Sequence, residues 1–146
     1  MKLTITRVLA LGAISFAAGS LLTLKLATPA HVEAQSNSVY ELRVYHAMPG
    51  KLGDIVKRFK DDTRRVFNKH GIESVGYWVP QDSPAKENTL IYIVKHPNRE
   101  AGDKNWKAFT SDPEWQEISK RTQANGRLVE KIDSTFMDPT EYSALK

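Results

Sequence analysis

"TLIYIVKH", residues Thr89 to His96, is the stretch on which the fold turns. Leu90, Ile91, Tyr92, Ile93 and Val94 are apolar at odd and even positions alike. A strand with one wet face alternates between apolar and polar residues. A run that is apolar on both parities needs both faces covered. The polar loop "QDSPAKEN" precedes it and "PN" follows, so it reads as a bounded strand at the centre of a sheet.

The elements around it supply the rest of that sheet. "VYELRVYH" (Val39 to His46) is a first strand, rich in Val and Tyr. "PGKLGDIVKRFKDDTRRVFNKHG" follows, with Leu52, Ile55, Val56, Phe59, Val66 and Phe67 on one helical face. Gly71 is its stop signal, and Lys69 and His70 suit the negative helix end. "IESVGYWVP" is a second strand, closed by Pro80. After the central strand, "NREAGDKNWKAFTS" and "DPEWQEISKRTQANG" predict two short helices with a break near Ser111. "RLVEKIDSTFM" is the fourth strand. The order βαββααβ predicts an α+β, ferredoxin-like fold: an antiparallel sheet with helices on one face and strands one and three at the centre. Helices can cover only one face. The simplest cover for the other is a second copy packed sheet to sheet, so a homodimer is expected.

Bulk properties fit one ordinary globular domain. The chain has 146 residues, 40% hydrophobic and 26% charged. Half of the net charge of +4 belongs to the segment before Gln35, and the remaining basic and acidic residues are mixed. That is not the basic stripe of a nucleic-acid partner. The absence of cysteine excludes disulfides, zinc-thiolate sites and thiol nucleophiles. Residues 1–34 join Lys2 and Arg7, an apolar stretch from Val8 to Leu24, and a small-residue ending, "VEA". They read as a secretory signal peptide or, if uncleaved, an N-terminal membrane anchor. Either way the domain is expected outside the cytoplasm, periplasmic or secreted. Residues 35–38 are a linker, 39–142 the domain and 143–146 a tail.

Three stretches in order carry a family resemblance. "YELRVYHAMPGKL" (Tyr40 to Leu52), "KHGIESVGYW" (Lys69 to Trp78) and "SDPEWQE" (Ser111 to Glu117) resemble segments of the NIPSNAP family, within the dimeric α/β-barrel superfamily. The resemblance implies a ferredoxin-like fold and dimerisation. It implies little about chemistry, because the family's molecular activity is mostly undefined. The wider superfamily includes cofactor-independent monooxygenases, isomerases and haem enzymes, and fold does not choose among them.

No catalytic motif stands out. G-x-S-x-G, G-x-G-x-x-G and Walker loops are absent, and no two histidines have the spacing of helical metal ligands. No metal and no cofactor is expected. On strand one, Tyr40, Leu42, Val44 and His46 share one face and Val39, Glu41, Arg43 and Tyr45 the other. The first set is apolar enough to be assigned to the helices. Glu41 and Arg43 then face a partner subunit or a neighbouring strand as an ion pair, with ligand anchoring by the guanidinium as the alternative. Arg43, Tyr45, Trp78 and Tyr92 are the candidate ligand contacts, for a small apolar or aromatic molecule. His46 is the candidate proton-transfer group. Three function classes follow: a binding or structural module, a small cofactor-independent monooxygenase or isomerase, and a membrane-tethered interaction domain. "SDPEWQE" invites a catalytic reading, with a carboxylate beside an indole. Asp112 followed by Pro113 reads better as a helix start, with Ser111 and Glu114 as an alternative capping box one residue earlier.

Overall fold

A computed structural model describes residues 38–146. The predicted signal peptide or anchor lies outside the described residues. Among the described residues no helix is long and apolar enough to cross a membrane.

Strand β1 spans Val39–Ala47 and leads through a turn to helix α1, Leu52–Arg58. A π-helical turn, Phe59–Thr63, joins it to α2, Arg64–Lys69. Then come β2 (Glu73–Trp78), a one-turn helix α3 (Ala85–Asn88) in the predicted loop, and β3 (Thr89–His96). Two helices, α4 (Arg99–Ser111) and α5 (Pro113–Thr122), precede β4 (Val129–Met137). The sheet order is β2-β3-β1-β4, with every neighbouring pair antiparallel. The expected α+β, ferredoxin-like topology is present, and β1 and β3 are central.

The register settles which residues face the helices, and it inverts the reading of β1. Glu41 pairs with Val94, Arg43 with Tyr92 and Tyr45 with Leu90. Residues paired across an antiparallel sheet share a face. Tyr45, Leu90, Tyr92 and Val94 belong to the core, packed with Ile55, Phe59, Phe67, Phe109 and Ile118 of the helices. Glu41 and Arg43 therefore lie beneath the helices. Leu42 and Val44 share the opposite face with Ile91 and Ile93, all half-buried. Trp78, on that face beside Ile91, is 50% exposed. Tyr40 is on that face too, but the last residue covers it: its hydroxyl donates to the Lys146 carbonyl at 3.0 Å. Counting apolar residues misassigned the faces because a carboxylate and a guanidinium can be buried together when each is hydrogen-bonded.

The π turn changes which helical residues point inward. An uninterrupted α-helix would turn Asp62 inward, between Phe59 and Val66. The wider turn brings in Thr63 instead, at 1% exposure, and its hydroxyl donates to the Arg58 carbonyl at 3.2 Å. Asp62 is left to an ion pair with Arg121. Val56, expected on the apolar face, is 39% exposed at the edge of the contact. Two glycines mark close approaches. A Cβ on Gly102 would stand 3.1 Å from His96 and from Phe136, so glycine lets α4 settle on the sheet there. A Cβ on Gly76 would stand 2.6 Å from the Trp78 ring, which lies across it on the open face.

Candidate functional site

Glu41 gathers a buried polar cluster under α4. It is 1% exposed, and its two oxygens accept four hydrogen bonds. Oε1 accepts from Arg43 Nη1 at 2.8 Å and from Ser134 Oγ at 2.6 Å. Oε2 accepts from the Trp106 indole N–H and from His96 Nε2 at 3.2 Å. Each donor comes from a different position in the chain. Arg43 is two residues along β1, Ser134 sits opposite it on β4, His96 ends β3, and Trp106 comes down from α4. The Arg43 guanidinium also lies over the Trp106 ring, 4.2 Å from its centroid. Burial alone would raise the Glu41 carboxyl. The hydrogen bonds from His96, Ser134 and Trp106, with the Arg43 charge, outweigh it and hold the pKa at about 2.

That arrangement is poor at proton transfer. An acid or base catalyst needs a pKa near the working pH and a proton path to substrate. Glu41 is ionised at any ordinary pH, and protein donors occupy both of its oxygens. His96 is fully buried, with Nδ1 facing no hydrogen-bond partner. Tyr92 is fully buried as well; its hydroxyl has no partner, and burial pushes its pKa well above the ordinary phenol value. What the cluster does achieve is to tie β1, β3, β4 and α4 together around one carboxylate.

The candidate residues divide between the two sides of the sheet. Arg43, Tyr45 and Tyr92 come together on the helix side, where the Tyr45 and Tyr92 rings meet edge to face at 5.3 Å. His46 and Trp78 are on the open side. His46 Nε2 lies 2.9 Å from Asp133 Oδ2 of β4. Among the clefts on the described residues, four have volumes of 200 to 610 Å³. None of the four is lined by Glu41, Arg43, His46, Trp78, Tyr92 or His96. Only Tyr45 reaches one, a 370 Å³ cleft where α1, α5 and β4 meet, which also holds Arg58 and Trp115. Among the described residues no three His, Asp or Glu side chains converge as metal ligands would.

Sequence reasoning missed the partners of Glu41 and the whole of the Arg58 cleft. Glu41 stood out as an ion-pair member, but its donors come from β3, β4 and α4. Arg58 carried a readable signal: it falls three residues after Ile55 and beside Phe59, a cation inside an apolar stripe.

"SDPEWQE" has the capping role assigned to it. Asp112 is extended and its Oδ1 accepts from the Glu114 N–H at 2.8 Å, with Pro113 in the first turn. The alternative box does not form, because the Ser111 hydroxyl donates back to the Lys107 carbonyl. The fold adds partners that sequence neighbours lack. Lys69 Nζ lies 2.7 Å from Asp112 Oδ2, and His70 Nε2 meets the same oxygen. The Lys69 ammonium and the His70 ring hold the Asp112 carboxyl well below the usual carboxylate range. The cap therefore also pins the end of α2 to the start of α5.

Comparisons with known proteins agree with the fold. Residues 40–144 match the family model for NIPSNAP. An uncharacterised NIPSNAP-like domain protein of Burkholderia xenovorans superposes with a TM-score of 0.64 at 17% identity, over 74% of this chain and 90% of that one. A NIPSNAP family protein of unknown function from Agrobacterium tumefaciens gives 0.66 at 21% identity, over 77% and 96%. A candidate antibiotic biosynthesis monooxygenase from Bacteroides thetaiotaomicron gives 0.53 at 13% identity, over 75% and 95%. At these identities the likeness is one of fold alone. No curated protein matches the chain.

Proposed function

The chain belongs to the NIPSNAP family, and on that premise we propose that it is an exported, homodimeric binding module that carries out no turnover of its own. The observation that carries this reading is the seal over Glu41 and His96, at 1% and 0% exposure. The groups with the chemistry to catalyse are spent on holding the fold together. His46, the other candidate, is held by Asp133 on the open face and lines none of the four clefts. A small apolar or aromatic ligand would instead find its place in an open cleft.

The open sheet face supports the dimer. Leu42, Val44, Ile91 and Ile93 form an apolar patch on the two central strands, with Trp78 exposed beside it. Among the described residues Lys146 reaches a corner of that face, at Tyr40 and Lys95. A second copy packed sheet to sheet would bury the patch on both chains. Export is supported by the basic, apolar and small-residue succession of residues 1–34.

Sedimentation velocity of the protein at micromolar concentration tests the dimer: a single monomer boundary would reject it. The non-catalytic reading is tested by incubating the protein with aromatic metabolites under air. Product formation or oxygen consumption above buffer would overturn it.

A further inference from the structure

Among the described residues the buried charges are compensated, with one exception. Glu41 has four donors, Arg43 has Glu41, and Asp112 has Lys69 and His70. Arg58 is equally buried, at 5% exposure. Among the described residues no carboxylate lies within ion-pair distance of it, and its Nε has no hydrogen-bond partner. Removing one partner from a buried ion pair is strongly destabilising. Arg58 is held in place with no such partner among the described residues, and it borders two clefts.

Its surroundings explain why no described residue pairs with it. On one side Arg58 borders a small cleft with three aspartates. All three are engaged elsewhere: Asp54 with Lys51, Asp61 with Lys57 and Asp62 with Arg121. On the other side is the 370 Å³ cleft, within the usual range for a small-molecule site of about 300 to 1,000 Å³. There the Trp115 ring lies over the guanidinium, 5.3 Å from ring centre to Cζ, and Tyr45 forms part of the wall. Glu130 is the one carboxylate lining this cleft; it is exposed and makes no ion pair among the described residues. Arg127 and Lys131 also line it, so cations outnumber acids. The π turn begins at the residue after Arg58, and Thr63 takes up the Arg58 carbonyl. Such turns are frequent at functional sites.

We infer that this cleft is a binding site for a small aromatic carboxylate, with Arg58 as the anchor of the carboxylate and Trp115 and Tyr45 as the walls for the ring. A guanidinium grips a carboxylate through two parallel hydrogen bonds, which a neutral amide cannot reproduce. An aromatic body suits a pocket that already stacks a cation on an indole. This inference rests on the binding-module reading and names its ligand.

The test uses the full-length chain, with benzoate as probe and benzamide as its neutral counterpart. Nitrogen-15 NMR follows the Trp115 indole N–H. Benzoate is expected to shift that resonance saturably and benzamide to leave it in place. Arg58→Gln is expected to weaken benzoate at least about tenfold, and Arg58→Lys to weaken it less, because the charge remains. The comparison of benzoate with benzamide on the unaltered protein stands even if a variant fails to fold. Absence of a shift at about 10 mM benzoate, which excludes even a millimolar site, overturns the inference. So does an equal response to benzamide, or a folded Arg58→Gln protein that binds undiminished. The dimer and the lack of turnover are read by separate experiments, so the ligand assignment can fail alone.

Discussion

The two faces of the sheet are built the opposite way from what their letters promise. On the helix side, β1 contributes Glu41 and Arg43, whose side chains are 1% and 15% exposed. On the open side it contributes Leu42 and Val44, and both retain contact with water. The difference lies in available partners. Glu41 is reached by donors from three other elements, so burying it leaves no orphaned lone pair. Leu42 and Val44 need only apolar cover, which another chain can supply. On β1, the carboxylate is kept inside where other strands and α4 satisfy it, and the apolar side chains are left on the open face.

The largest effect expected from disturbing this contrast is at Glu41. Glu41→Gln removes the charge that compensates buried Arg43, so unfolding in urea should show a loss of about 3 kcal/mol. A loss below about 1 kcal/mol would mean that the cluster is not what holds the layers together. On the other face, Ile93→Lys should leave the unfolding midpoint of the isolated chain nearly unchanged. It should weaken self-association by at least about thirtyfold in sedimentation equilibrium. Equal association of the two proteins would mean that the apolar patch is not the contact.

Asp112→Ala tests a smaller, peripheral version of the helix-side rule. Loss of the cap, with His70 left unpaired and Lys69 left with Glu114 alone, should lower the melting temperature by roughly 5 °C. No change would show that the Asp112 corner is ornamental. The same Glu41 stabilisation can also be read in acid. Glu41 is held at about 2 in the folded protein, against an ordinary 4.5. Its stabilisation is complete above about pH 4.5 and is lost as pH falls through 2, because the unfolded chain takes up the proton first. Stability measured from pH 6 down to pH 2 should therefore fall less steeply in Glu41→Gln. Parallel curves would place the acid sensitivity on other carboxylates, of which Asp112 and Asp133 are also held low.

Much of the fold was legible because its signals are local or periodic. The double parity of "TLIYIVKH" placed β3 at the centre, and Asp112 with Pro113 marked a helix start. What was not legible depends on partners distant in the chain. Alternation along β1 shows two faces but not which of them meets the helices. That choice rests on Ser134, Trp106 and His96, 93, 65 and 55 residues away from Glu41. The π turn likewise has no period of its own. It appears where one extra residue puts Thr63 rather than Asp62 against the core. Of the candidate site, Arg43, Tyr45 and Tyr92 proved to be neighbours. His46 and Trp78 fall on the other side of the sheet, a separation fixed by register rather than by residue type.

The placement of the tryptophans has a practical consequence. There are three in the chain, and each sits in a different one of the places that matter. Trp106 donates to Glu41 inside the seal, Trp115 walls the Arg58 cleft, and Trp78 lies half-exposed on the open face. Versions that keep Trp106 and one other tryptophan, with the third replaced by phenylalanine, would make the protein its own set of optical reporters. Emission from Trp78 should move to the blue on self-association, that from Trp115 should be quenched by a ligand, and that from Trp106 should change only when the domain unfolds.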